Sequence, residues 1–293
     1  MILPPLNGRA SSTSCWRSRT ALTRIALLQM NSGISPERNF ETIRQAARAA
    51  VEGRAAMLFT PEMSLLLDRD RNRAATHITV AETERYVQLL SQTAVEQELF
   101  IALGSMASAR LDGQWANRSL VFSPDGQIRG QYDKIHMFDV NLGGGEIWHE
   151  SSAYVPGEVV VAVDETPVGR LGLTVCYDLR FPALFNVLGQ RRCDAIAVPA
   201  AFTVPTGRAH WHVLLRARAI EASAYTIAAA QVGLHEDGRH TYGHSLVVDP
   251  WGEVLLDMGG NETGLGFAEI DPKRIAEVRQ QLPCLANRRP IAT

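Results

Sequence analysis

The runs "RIALLQM" (24–30), "AAMLFTPE" (55–62) and "LFIALGSM" (99–106) are apolar along nearly their whole length instead of alternating with polar residues. A strand with one wet face alternates; a strand that does not alternate is buried on both faces, as in a parallel sheet covered by helices. Helical patterns fill the gaps between these runs. Ser35 and Pro36 supply an N-cap and a first helical position, Ile43, Ala46, Ala47, Ala50 and Val51 form one apolar face, and Gly53 follows. A second helix is expected over 82–98.

The pattern then changes. "ANRSLVFSPDGQIRGQYDK" (116–134) places two strand patterns around a Pro-Asp-Gly turn, which predicts a hairpin and therefore a mixed sheet. Further strands are expected near 159–163 and 168–175, and in "DAIAVPA", "YTIAAAQV" and "GLGFAEID". Helices are expected over about 182–190 and 208–223, and a second hairpin in "YGHSLVVDPWGEVLLD". No internal repeat is visible. β-α-β units combined with hairpins place the chain in the α/β class, as two stacked mixed sheets flanked by helices.

Composition narrows the partner. With 29 Lys+Arg against 31 Asp+Glu the chain lacks the basic surplus of nucleic-acid binders, and no apolar stretch approaches the length of a membrane span. A small molecule is the expected partner, with neither nucleic acid nor membrane. Cys15, Cys176, Cys193 and Cys284 show no C-x-x-C spacing, which points to a reducing, cytoplasmic setting. Residues 1–23 hold three arginines, no acidic residue and no apolar period, and read as a disordered arm or a misassigned start. An organelle transit peptide has the same composition. The main domain is expected over 24–285 and a tail over 286–293.

Three predicted strands end in residues able to do chemistry: Glu62 after "AAMLFTP", Lys134 after the hairpin, and Cys176 after "GLTV". Ligands of open α/β sheets bind beyond the carboxyl ends of strands, so the three can converge there. Singly, each has an ordinary reading: an inert core thiol, a loop carboxylate, a solvated lysine. Together they supply a nucleophile, a proton carrier and a cation for a developing oxyanion. No histidine has a partner spacing that singles it out as a base. His210 and His212 lie 200° apart on a helix and make a poor metal pair, so no metal is expected.

"FTPEM", "YDKIHMFD" and "GLTVCYDLRFPALF" resemble, in order and spacing, the Glu, Lys and Cys motifs of the nitrilase, or carbon-nitrogen hydrolase, superfamily, from about Ile25 to Pro283. The resemblance implies a four-layer α-β-β-α sandwich, a homodimer or larger, and no cofactor. It makes Cys176 the nucleophile, Glu62 the general base and acid, and Lys134 the oxyanion stabiliser, and it places a second glutamate at Glu150. Either burial must raise the Glu62 pKa, or Lys134 and the helix end must lower that of Cys176, for the proton transfer to be easy.

"AHWHVLLRARAIEASAYTIAAAQVG" and "YGHSLVVDPWGE" resemble the branch that holds deaminated glutathione amidases and omega-amidases. The resemblance implies a small amide bearing a carboxylate. Arg180 and Arg208 are candidates to hold that carboxylate, although Arg180 has an alternative partner in Asp178. The Tyr177 N–H joins Lys134 at the oxyanion, and Phe202, Thr203, His210 and Trp211 are candidates to line the pocket, with packing the alternative for the two aromatic residues. "NLGGGEIWHES" and "LHEDGRHTYGH" are expected at its rim. A carbamoyl or nitrile substrate, an inactive scaffold and a redox thiol protein are the competing readings.

Overall fold

The fold is taken from a computed structural model, in which residues 21–141 and 147–289 are described. Most of the N-terminal arm, the end of the C-terminal tail and the centre of "NLGGGEIWHES" lie outside the described residues. The first half contributes β1 (Thr23–Gln29), α1 (Pro36–Glu52), β2 (Met57–Phe59), α2 (Arg71–His77), α3 (Val80–Glu96), β3 (Phe100–Ala109), β4 (Trp115–Phe122) and β5 (Ile128–Asp133). A ribbon of β6 (Asp139–Asn141) and β7 (Ile147–His149) follows. The second half holds β8 (Ala162–Thr166), β9 (Gly169–Leu173), α4 (Pro182–Gln190), β10 (Ala195–Ala197), α5 (Val204–Ala222) and β11 (Tyr225–Ala228). After it come the hairpin β12 (Val232–Leu234) and β13 (His240–Tyr242), then β14 (Leu246–Val248), β15 (Val254–Asp257), β16 (Gly264–Ile270) and α6 (Pro272–Gln281).

The strands form two six-stranded sheets, in the orders β16-β1-β2-β3-β4-β5 and β15-β14-β11-β10-β9-β8. Both follow one plan. An antiparallel edge strand (β16 or β8) precedes three parallel strands, and two antiparallel strands close the other side. The two sheets therefore share a topology that no sequence repeat announces.

Alternation along each buried strand separates the layers. In β1, Ile25 and Leu27 face the second sheet, while Ala26 and Leu28 pack against Ile43, Ala47, Tyr86 and Leu90 of α1 and α3. In β9, Leu171 and Leu173 point inward, and Gly172 faces α4, where an added Cβ would lie 2.9 Å from Leu188. Helix, sheet, sheet and helix thus stack as four layers around a core between the sheets, as the resemblance implies.

Element limits differ from the sequence reading in small ways. The second long helix begins at Val80, because the Thr79 side chain accepts from the Glu82 N–H at 3.1 Å and caps it there. Helix α5 starts at Val204, four residues earlier than expected, since Pro205 suits a first turn. Val51 is 40% exposed and falls off the apolar face of α1. Helix α2 was not foreseen: Ala74 is its one buried residue, so it carries no apolar period.

One irregularity positions the site. The register between β3 and β4 shifts between Leu103 and Met106, and Gly104 lies in that bulge. The turn that carries Glu62 is fastened there: Thr60 Oγ1 accepts from the Gly104 N–H (3.1 Å), the Ser105 N–H donates to the Pro61 carbonyl (3.2 Å), and Ser105 Oγ accepts from the Met63 N–H (2.9 Å). A Cβ at Gly104 would stand 2.0 Å from the Thr60 carbonyl oxygen and 2.5 Å from Pro199 Cβ. Gly104→Ala is therefore expected to destabilise by about 1–3 kcal/mol and to lower kcat, because the added methyl pushes on both the Glu62 turn and the Pro199 segment. Chemical denaturation and steady-state rates check this; an unchanged kcat would show that the bulge does not set the Glu62 position.

Candidate active site

The carboxyl ends of β2, β9 and β10 meet at one end of the sandwich, and Glu62, Cys176 and Ala201 follow them. Lys134 arrives from the end of β5 and Glu150 from the turn after β7. Lys134, only 1% exposed, donates from Nζ to Glu62 Oε1 at 2.9 Å and to the two oxygens of Glu150 at 3.1 and 2.8 Å. Buried Glu62 and half-buried Glu150 thus share one ammonium, and Glu150 is drawn into the same cluster as Glu62.

Their remaining lone pairs are also occupied, as buried charges require. Asn117 on β4 donates from Nδ2 to Glu62 Oε1 (2.9 Å) and to Glu150 Oε1 (3.0 Å). The Ala201 N–H donates to Glu62 Oε2 (3.0 Å), and the Phe138 N–H to Glu150 Oε2 (2.7 Å). Asn117 went unnoticed in the sequence. Its only signal is an amide side chain at a buried position of a hairpin strand that also carries Arg118 and Ser119.

Cys176 opens a 3-10 turn (Cys176–Arg180) with φ at 50°, in the left-handed region that non-glycine residues seldom adopt. The turn is pinned from inside. Buried Asp178 accepts from the Val175 N–H (2.8 Å) and the Tyr132 hydroxyl (2.6 Å) through Oδ2, and Oδ1 accepts from the His136 N–H (3.1 Å). Nδ1 of His136 sits 2.7 Å from the same oxygen, and its ring stacks on Phe181 at 3.6 Å. Asp178 is therefore not the partner of Arg180. That guanidinium turns the other way, 3.2 Å from His210 Nδ1 and over the rings of Tyr177 and Phe202. The Cys176 N–H donates to the Pro199 carbonyl at 2.8 Å, whereas among the described residues the Tyr177 N–H has no acceptor.

Electrostatics run opposite to the sequence expectation. Burial pushes the Glu62 carboxyl up, but the Lys134 charge and hydrogen bonds from Cys176, Lys134 and Asn117 outweigh it and hold it below the usual carboxylate range. Burial and the neighbouring Glu62 carboxylate push the Cys176 thiol well above its ordinary value, with Lys134 offsetting only part. Burial would discharge Lys134, yet Glu150 and Glu62 keep it protonated. The helix end does not make a thiolate, because the 3-10 turn intervenes between Cys176 and α4. The resting cluster is carboxylate, ammonium and protonated thiol.

A cavity of about 590 Å3 opens above Cys176. Tyr177, Arg180, Phe202 and Thr203 line it, as do parts of the two segments expected at its rim, Ile147 to Glu150 and Gly238 to Thr241. Trp211 does not. It is fully buried behind Phe202, with ring centroids 4.8 Å apart, and Nε1 donates to the His244 carbonyl. His210 and Arg208 are exposed and outside the lining; His210 reaches the site only through Arg180. His212 belongs to another cluster away from the cavity, with Nε2 3.0 Å from Asp257 Oδ2 and His244 Nδ1 2.9 Å from Asp257 Oδ1. The described cysteines Cys176, Cys193 and Cys284 are all free.

A sandwich of two mixed sheets with a buried Glu-Lys-Cys cluster at its strand ends defines a hydrolase of carbon-nitrogen bonds. The chain belongs to the carbon-nitrogen hydrolase family, whose profile matches residues 24–280. A deaminated glutathione amidase of Synechocystis sp. is 39% identical over 267 residues, 90% of this chain and 97% of that protein. The human protein of the same description is 36% identical, over 96% of this chain and 85% of its own. Among solved structures, the NitFhit protein of C. elegans superposes with a TM-score of 0.86 at 35% identity, over 92% of this chain and 66% of the NitFhit chain. An amidase mutant of Nesterenkonia sp. AN1, with a TM-score of 0.76 at 25% identity over 91% of this chain and 94% of its own, carries the acetamide moiety of fluoroacetamide on its active-site cysteine.

With Glu62 held ionised, the acid limb of kcat/KM is expected below the ordinary glutamate value of about 4.3. Asn117→Asp adds a third carboxylate beside Glu62 and Glu150, so it should move that limb toward neutral pH and lower kcat. A pH profile of both proteins checks this; coincident acid limbs would show that Glu62 is not the group being read.

Proposed function

We propose that the protein hydrolyses the amide of deaminated glutathione, in which an α-ketoglutaryl unit is joined to the nitrogen of cysteinylglycine. The observation that carries this reading is the Glu62-Lys134-Cys176 cluster below a cavity in which Arg180, released from Asp178, is available to a substrate carboxylate. Relatives of that description at 36–40% identity over most of the chain support the same substrate.

The resting protonation state sets the order of events. Cys176 Sγ attacks the amide carbon as its proton passes to Glu62, so no thiolate has to persist in the free enzyme. Oxygen gains the negative charge, and Lys134 Nζ with the Tyr177 N–H stabilises it. Glu62 returns the proton to the departing nitrogen, the C–N bond breaks, and cysteinylglycine leaves a thioester on Cys176. Water then loses a proton to Glu62 and attacks the thioester; α-ketoglutarate departs as the C–S bond breaks, and the proton goes back to sulfur. Glu150 and Asn117 take no proton in this scheme. They fix Lys134 and Glu62 in place.

The reading extends to assembly and location. Val213 and Ile220 on α5 are exposed, and Gly252 next to the half-exposed Trp251 packs on Ile220, which supports a homodimer or larger assembly through this face. A cytoplasmic location suits a free catalytic thiol. Residues 24–285 are read as one hydrolase domain.

Two outcomes are expected. Cys176→Ala should abolish turnover while far-UV circular dichroism and Tm stay close to the parent; substantial residual turnover would remove the covalent route. Mass spectrometry of products should give α-ketoglutarate and cysteinylglycine, with kcat/KM above that for α-ketoglutaramate, since binding energy of the remote tail is available to the transition state. A better kcat/KM for α-ketoglutaramate would make the enzyme an omega-amidase instead.

A further inference from the structure

The charges lining the cavity do not balance at its mouth. Its acids are Glu62, Glu150 and Asp68. The first two share Lys134, and Asp68 is held by Arg73 at 2.6 Å. Its arginines are Arg69, Arg71, Arg180 and Arg239. Arg239 is paired with Asp237 at 2.7 Å, and Arg71 donates to the carbonyls of His149 and Ser152. Arg180 and Arg69 remain, and among the described residues neither meets a carboxylate.

These two cations come from different parts of the chain. Arg180 closes the Cys176 turn and belongs with the reacting end of a substrate. Arg69 lies before α2, with its guanidinium 5.5 Å from the centre of the Trp148 ring on β7. The guanidinium of Arg239 lies 5.3 Å from the centre of the same ring. Two like charges gathered on one indole repel, and an anion settled between or beside them relieves that repulsion. Trp148 Nε1 is buried and has no hydrogen-bond partner among the described residues, so the ring serves the site through its face, over which both guanidinium groups lie. Arg69, Arg239 and Trp148 all face the cavity that holds Cys176.

We infer that Arg69, with Trp148 and Arg239, forms a subsite for a second carboxylate, carried on the leaving amine at the far end of the substrate from the scissile carbonyl. The ligand class is an amide with two carboxylates, one at the keto-acid end of the acyl unit for Arg180 and one at the end of a peptide-like leaving group for Arg69. This rests on the reading above, in which the leaving group is a dipeptide and not ammonia. A guanidinium facing a carboxylate makes charge-assisted hydrogen bonds that neither ammonia nor an uncharged tail can use.

The test compares three substrates on the full-length protein and on Arg69→Gln: deaminated glutathione, the same compound with its terminal carboxylate converted to a carboxamide, and α-ketoglutaramate. Arg69→Gln should lower the ratio of kcat/KM for deaminated glutathione to that for α-ketoglutaramate by about 10- to 100-fold, chiefly through KM. The carboxamide should be poorer than the carboxylate on the parent protein by a similar factor, and Arg69→Gln should cost it little more. Equal losses on carboxylate and carboxamide, or an unchanged ratio, would overturn the subsite. The parent protein's own preference between deaminated glutathione and α-ketoglutaramate decides the substrate reading separately, so the two failures are told apart.

Discussion

Two carboxylates and one ammonium taken out of water together are the constraint around which the rest of this structure is arranged. Glu62, Lys134 and Glu150 carry a net negative charge in a buried place, which is costly unless every oxygen and every N–H is satisfied. That requirement explains features that look unrelated along the chain. A buried asparagine on β4 bridges both acids, and the Phe138 and Ala201 N–H groups turn inward to cap the remaining oxygens. The bulge at Gly104 lets the Glu62 turn approach β3 closely enough to be fastened.

The same cluster dictates how the thiol behaves. A cysteine beside an ionised glutamate in a buried site holds its proton, even with a lysine nearby. In the proposed reaction, Glu62 receives that proton only as substrate oxygen takes up charge next to Lys134. Placing the sulfur there needs a strained backbone at Cys176, and the structure compensates with Asp178, whose carboxylate gathers Val175, Tyr132 and His136 beneath the turn.

What was legible in the sequence follows from period and position. Buried strands without alternation, the Pro-Asp-Gly hairpin and the capped helices can be read locally, and Glu62, Lys134 and Cys176 stand out because each ends such a strand. Glu150 was reached only through the family resemblance. Asn117 stayed hidden because its partners lie far along the chain and its strand reads as ordinary hairpin. Asp178 and Arg180 are two residues apart, and proximity in sequence invited an ion pair; the 3-10 turn sends one inward and the other into the cavity. Trp211 and His210 are adjacent on α5 and lie about 100° apart around it, and the helix buries the first while exposing the second. The reversed pKa directions depend on three-dimensional neighbours and have no local sequence signal.

The shared plan of the two sheets has a further consequence. Glu62, Lys134 and Asn117 come from the first sheet and its connections, and Cys176 with the Ala201 N–H from the second. Neither half owns a working set of groups, even though each has the same internal wiring of strands. On the proposed mechanism, catalytic competence is therefore a property of the seam. During refolding, secondary structure in both halves can form without any activity, and turnover reports the moment when the two sheets close face to face.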